Sequence, residues 1–190
     1  MRENYTLTRL FLEGDLSQGS EIELSREQAH YLGSVLRKAE GESIRVFNGR
    51  DGEWRADIAA IGKKSGRLTV SEILRDQNSV PDMTLLFAPV RKHRTAFIIE
   101  KATELGVRKL QPVLTQRTQF PRFNVDKARL QAIEAAEQSE RLDVPNIEPL
   151  QLLKDVLASL DGRPILFADE AGGGKSVEAA VKQMEHLLPF

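Results

Sequence analysis

Over the first 75 residues, apolar positions fall in short runs broken by Gly, Ser, Asn and Asp. Segments 8–12 (TRLFL), 20–24 (SEIEL), 43–48 (SIRVFN), 53–61 (EWRADIAAI) and 67–73 (RLTVSEI) read as short strands set off by turn residues. NGRDG at 48–52 separates two of them and is a strong hairpin signal, because Asn-Gly and Asp-Gly tolerate positive φ. One stretch breaks this pattern. Ser25 and Gln28 form a capping box, Ala29, Leu32, Val35 and Leu36 recur at helical spacing, and Gly41 ends the segment. Several short strands around one helix predict a small, closed or nearly closed β-barrel.

After a polar stretch, RDQNSVPD at 75–82, the rhythm changes. MTLLFAPV at 83–90 is the continuous apolar run of a strand covered on both faces. RTAFIIEKATEL is helical, with Gly106 at its C-terminal end, and VRKLQPVLT at 107–115 is a second strand. The pattern predicts a helix over 126–141 beginning at Asp126, an amphipathic segment over 150–160, a third buried strand over 163–168 (RPILFA), and a last helix over 176–188. Strands alternating with helices mean an α/β domain with a mainly parallel sheet. A sheet of three such strands is small, and LLPF at the end reads as an unfinished fold.

Composition narrows the function classes. The 190 residues carry a net charge of −1 and no cysteine, which excludes disulfides and thiolate metal sites and favours the cytoplasm. No signal peptide is visible and no apolar run nears the ~20 residues that span a bilayer, so no membrane partner is expected. His30, His93 and His186 are scattered without ligand spacing, so no metal is expected. The charge is uneven. Residues 91–129 hold ten Lys and Arg, Arg91, Lys92 and Arg94 among them, against Glu100, Glu104 and Asp126. A basic strip hidden in a neutral total suits a polyanion, and ordinary solvated helix faces would look the same.

Three motifs carry candidate chemistry. LFADEAGGGKS at 166–176 ends like a phosphate-binding loop, but Asp169 stands where the first glycine belongs and Glu170 adds a second acid. A P-loop NTPase is therefore disfavoured. A ligand loop at the carboxyl end of a strand, or a plain turn, remains open. On the helix ending EAAEQSER, Glu134, Glu137, Gln138 and Arg141 lie at i,i+3 and i,i+4 spacing, as surface pairs or as a site. TQRTQFPRFN at 115–124 interleaves Arg117 and Arg122 with Phe120 and Phe123, which suits unpaired RNA or a loop whose phenylalanines return to the core.

The chain resembles the RsmE-type ribosomal RNA methyltransferases of the SPOUT superfamily. The matching stretches are R-L-F at 9–11, H-Y-L-x-x-V-L-R at 30–37, F-N-G at 47–49, EKATELGVRKLQPVLTQRTQ at 100–119 and IEAAEQSERLDVPNI at 133–147. The resemblance implies an α+β two-domain protein: a PUA-like, RNA-binding β-barrel over 1–74, a linker over 75–82, and an α/β trefoil-knot methyltransferase domain over 83–190. It also implies S-adenosylmethionine as cofactor, a homodimer, and methylation at N3 of a uridine in 16S rRNA of the small ribosomal subunit. By the same resemblance Arg9, His30 and Arg37 take RNA-facing or structural positions on the barrel. Arg117, Glu137, Gln138 and Arg141 lie near the catalytic cleft or the dimer interface, and Ala168, Asp169, Glu170, Ala171, Gly172 and Gly173 form a cofactor-side loop. The family's G-P-E-G-G loop and L-G-x-R-[IV]-L-R-x-E-T-A stretch are not among these residues.

The implied chemistry is attack of uridine N3 on the cofactor's methyl group. Glu137 is then the candidate base, and Arg117 and Arg141 the groups that stabilise charge on the uracil oxygens. Arg91, Lys92, Arg94, Arg122 and Gln138, with the barrel, would hold RNA. The alternative is a non-catalytic RNA-binding remnant of such an enzyme, should the chain end at Phe190.

Overall fold

The structure, a computed structural model, describes residues 3–169 and 171–184. The chain forms two compact units, Met1–Gln151 and Leu152–Phe190.

The first unit opens with a five-stranded sheet: β1 (Arg9–Phe11), β2 (Glu21–Glu23), β3 (Ser43–Phe47), β4 (Glu53–Ile61) and β5 (Gly66–Arg75), in the order β1–β3–β4–β5–β2. β1 runs parallel to β3, and the remaining pairs are antiparallel. The ladder is open: β1 and β2 are its edges rather than a closing pair. Three register shifts along β4 and β5, between Glu53 and Trp54, Arg55 and Ala56, and Ile58 and Ala60, add the local twist that curls such a sheet. α1 (Arg26–His30) lies over the concave core. Ser25 Oγ accepts from Gln28 N and the Gln28 side chain returns to the Ser25 backbone, as the capping box predicted. A π-helical turn, Tyr31–Val35, continues it. Ala29 and Leu32 are fully buried against Ile44, Val46, Ile58, Leu68 and Val70, whereas Val35 and Leu36 face outward.

Within the same unit, β6 (Thr84–Phe87), β7 (Lys109–Leu114) and β8 (Asn146–Ile147) form a parallel ladder in the order β6–β7–β8. α2 (Lys92–Glu104) and α3 (Val125–Gln138) pack on it through Ile99, Ala102, Ala128 and Ala132 around Phe87 and Leu110. Gly106 follows α2 at φ 82°, a left-handed position that lets the chain turn directly into β7. Asn124 caps α3: its Oδ1 accepts from Lys127 N at 2.7 Å, and Asp126, the expected start, sits in the first turn. A third cluster of Phe11, Phe47 and Ala136 joins the curled sheet to α3.

The second unit contains α4 (Leu153–Ala158) and α5 (Val177–Met184). The buried strand expected over 163–168 is not formed. Ile165, Leu166 and Phe167 are 55%, 48% and 80% exposed, and the segment joins no ladder among the described residues. Apolar continuity signals a need for cover but supplies neither the partner strand nor the covering layers that a buried parallel strand requires. The expected end of the last helix, 185–188, lies outside the described residues.

Candidate nucleic-acid interface

β6 and β7 are parallel, so the segments that leave them emerge on one edge of the sheet. This carboxyl edge is the usual ligand side of an open α/β sheet. The turn after β6 carries Arg91 and runs into α2, which begins with Lys92 and carries Arg94 in its first turn. The loop after β7 carries Arg117, Gln119, Phe120 and Arg122, and α3 starts with Lys127 in its first turn. All six cations are exposed. Most arginines of the curled sheet are ion-paired, but none of these six has an ion-pair partner among the described residues. Unpaired cations gathered on one edge are what a polyanion needs.

A cavity of about 390 Å³ opens on this edge, between the start of α2 and the 119–124 loop. Phe123 turns inward and meets Phe87 edge-on, with ring centroids 6.0 Å apart at 72°. Phe120, on the same wall, stays 39% exposed. Lys92 and Lys127 lie on the rim, and the Lys92 ammonium beside it lowers the pKa of Lys127.

The opposite edge holds a different arrangement. α3 carries the chain roughly 20 Å back across the sheet, a length set by its 14 residues. Glu137, Gln138 and Arg141 therefore lie at the amino edge, where Arg9 reaches them. Arg9 and Phe11 share one side of β1, and both address α3. Arg9 Nη1 donates to the carbonyl oxygens of Ala136 (2.6 Å) and Glu137 (3.1 Å), and Nη2 donates to that of Arg141 (2.8 Å). Phe11 N donates to Glu137 Oε1 at 2.9 Å. A guanidinium on the last carbonyls of a helix satisfies orphan acceptors and complements the helix dipole.

Behind Arg9 lies an ion cluster. Glu53 is 1% exposed, and its carboxylate accepts from Arg9 Nε at 2.6 Å and from Arg75 at 2.8 and 2.9 Å. Arg45 bridges to Glu140 with two hydrogen bonds of 2.7 and 2.8 Å. The Arg45 hydrogen bonds hold the Glu140 carboxyl below the ordinary carboxylate range. Burial pushes the Glu137 carboxyl up, against the lowering effect of the Phe11 amide and of Arg9.

The residues expected from sequence thus separate. Arg117, with Arg91, Lys92, Arg94 and Arg122, stands at the carboxyl edge. Glu137 and Arg141 stand at the amino edge, and one chain does not bring them to Arg117. Arg141 is buried, bound to Asp143 at 2.8 and 3.0 Å and donating to Thr103 O at 2.8 Å. Arg9 takes the structural of its two expected places: a side chain 5% exposed with every donor group occupied has no face for RNA. His30, Arg37 and Gln138 are exposed. Sequence reasoning did not single out Lys127 or Thr95, both of which line the cavity. The only signal for Lys127 was its place in the basic strip.

In the second unit, Ala168, Asp169, Ala171, Gly172 and Gly173 are all exposed, and Glu170 lies outside the described residues. Asp169 Oδ1 accepts from Ala171 N at 3.0 Å, so the carboxylate closes its own turn. Lys175 Nζ donates to Gln183 at 2.9 Å rather than facing the glycines. A side chain at Gly172 or Gly174 would meet nothing within 4 Å. These residues form an open turn and do not by themselves enclose a cofactor.

A family model for an RNA methyltransferase domain matches residues 76–188. The chain belongs to this RNA methyltransferase family. A model for the RNA methyltransferase PUA domain matches residues 24–71, which span α1, β3, β4 and most of β5. The ribosomal RNA small subunit methyltransferase E of Rickettsia conorii is 34% identical over 163 residues, which cover 85% of this chain and 66% of the relative. The Synechocystis protein of the same name is 36% identical over 129 residues, 66% of this chain and 42% of the relative. The chain therefore spans less than two thirds of the length of these relatives. A Neisseria gonorrhoeae ribosomal RNA small subunit methyltransferase E, solved bound to S-adenosyl methionine, superposes with a TM-score of 0.72 at 26% identity, over 83% of this chain and 66% of that one. The RsmE resemblance and the α+β architecture of PUA-like and SPOUT parts follow from these matches.

Proposed function

We propose that this chain acts in an S-adenosylmethionine-dependent methyltransferase that methylates N3 of a uridine in 16S rRNA. Residues 1–74 are its RNA-holding barrel, 75–82 a linker and 83–190 the methyltransferase domain; it works in the cytoplasm as a homodimer. The observation that carries this reading is the RNA methyltransferase family match together with a carboxyl edge of six cations that are unpaired among the described residues. The relatives' names supply the substrate class.

S-adenosylmethionine, when bound, supplies an activated methyl group, and the 168–173 loop is the part of this chain assigned to its side of the site. What this chain's own residues do is hold and polarise the uracil. N3 carries a proton at neutral pH and attacks as the anion, whose charge spreads to O2 and O4. A guanidinium beside those oxygens stabilises the anion and lowers the N3 pKa. Arg117 stands on the ligand edge, exposed and unpaired among the described residues, and takes this role. Glu137 and Arg141 act as positioning residues, fixing α3 to β1 and to α2.

Incubating the protein with methyl-tritiated S-adenosylmethionine and either small-subunit or large-subunit RNA tests the substrate class. Label confined to small-subunit RNA is expected. Label on large-subunit RNA, or on neither, contradicts the proposal.

A further inference from the structure

The cavity at the carboxyl edge has a chemistry more specific than a basic surface. Its charged lining residues are Lys92, Arg122 and Lys127, with no acid among them. None of the three has an ion-pair partner among the described residues. Lys92 and Lys127 come from different helices and line the same cavity, and the charge of Lys92 lowers the Lys127 pKa. Two cations held together without an anion repel, and an anion between them relieves that repulsion. The apolar wall lies beside them. Phe123 is anchored on Phe87, which fixes the 119–124 loop, and Phe120 keeps an open ring face. Thr95, Gln119 and Gln131 add side-chain donors and acceptors around the opening. At about 390 Å³ the cavity is within the roughly 300–1,000 Å³ of small-ligand sites.

We propose that this cavity is a subsite for one nucleotide of unpaired RNA, its phosphate between Lys92 and Lys127 and its base against Phe120. The assignment rests on the RNA methyltransferase reading and adds to it. Arg117 addresses the reacting uracil, whereas this subsite holds a neighbouring nucleotide and so sets the register of the strand. Stacking on one ring is sequence-tolerant, so the subsite fixes position rather than base identity.

The test is fluorescence anisotropy with a labelled oligouridylate ten nucleotides long, titrated with the whole chain at several salt concentrations. For the Lys92→Ala/Lys127→Ala variant, the slope of log affinity against log salt should shrink by about 0.7, one phosphate contact's worth for a single strand. Phe120→Ala should bind at least about 5-fold more weakly with an unchanged slope. Lys154→Ala, on α4, should match the wild type. Wild-type binding that the lysine and phenylalanine variants leave unaltered overturns the subsite and leaves the RNA reading standing. A wild type that does not bind the oligonucleotide overturns both. Uridine monophosphate competing as well, per nucleotide, as the oligomer would make the cavity a free-nucleotide site instead. Should the double variant fail to fold, photo-crosslinking of 4-thiouridine RNA to the unaltered protein decides. Adducts within 119–124 are expected, and adducts confined to other segments refute the assignment.

Discussion

Arg9 Nη1 lies 2.6 Å from the carbonyl oxygen of Ala136, a hydrogen bond across 127 positions of sequence that ties β1 to the end of α3. The same guanidinium neutralises Glu53 through Nε. Removing it orphans helix carbonyls and upsets the charge balance around a buried carboxylate. Arg9→Ala should therefore lower unfolding free energy by about 3–5 kcal/mol. Arg9→Lys should recover only part of it, because an ammonium cannot reproduce the guanidinium fork. Urea denaturation of the three proteins checks both statements.

Arg117 is the opposite case. It is exposed and makes no ion pair among the described residues, so Arg117→Ala should change stability by no more than about 0.5 kcal/mol. If it stabilises the uridinate, methyl transfer should fall by about 10²–10³-fold, the cost of removing one preorganised donor. Normal turnover by a stable variant would take Arg117 out of the mechanism.

Glu137 predicts a pH signature. Burial, as the largest cause, raises its pKa in the folded state, so folding disfavours its charged form. The group's contribution is complete below the unfolded pKa of about 4.3 and is lost as pH rises through the higher folded value. Glu137→Gln keeps an acceptor for Phe11 N but carries no charge. Relative to the wild type, it should gain stability between about pH 4 and pH 7. A difference between the two proteins that stays constant over that range would refute the linkage.

Gly52 and Gly19 share a left-handed backbone, at φ 81° and 83°, but differ in surroundings. A Cβ at Gly52 would run into the carbonyl oxygen of Arg75 and lie 3.1 Å from Gln77 N, whereas at Gly19 it meets nothing within 4 Å. Both alanine variants incur the left-handed strain. Gly52→Ala should cost about 1–3 kcal/mol more, the usual cost of overpacking. Thermal melts that rank the two variants equal would mean that the strand end at Arg75 gives way.

Local signals were readable in the sequence and long-range ones were not. Ser25 and Gln28 form their capping box because both partners lie within one turn. The hairpin at 48–52 was legible from Asn-Gly and Asp-Gly, and the segment 53–61 is a strand over its whole predicted span. α3 begins one residue before the expected Asp126, because Asn124 caps it, and a boundary of this kind is set by backbone geometry. The role of Arg9 was hidden because its partners are Glu53, Ala136 and Arg141, brought together only by the fold. Arg117, Glu137 and Arg141 were grouped by resemblance alone; α3 starts just after the loop of Arg117 and has Glu137 near its far end, which carries the two to opposite edges. The segment at 163–168 shows the limit of hydrophobic pattern most clearly. Its residues are apolar enough for a strand, and nothing in their order says whether a ladder is there to receive them.

The central claim is methylation of uridine N3 in small-subunit RNA, and the product nucleoside tests it most directly. Small-subunit RNA incubated with the protein and S-adenosylmethionine is digested to nucleosides and resolved by mass spectrometry against methyluridine standards. The expected product is 3-methyluridine that depends on both protein and cofactor and falls sharply with Arg117→Ala. Absence of 3-methyluridine, or a methyl group found only on carbon 5, on the ribose or on another base, would contradict it.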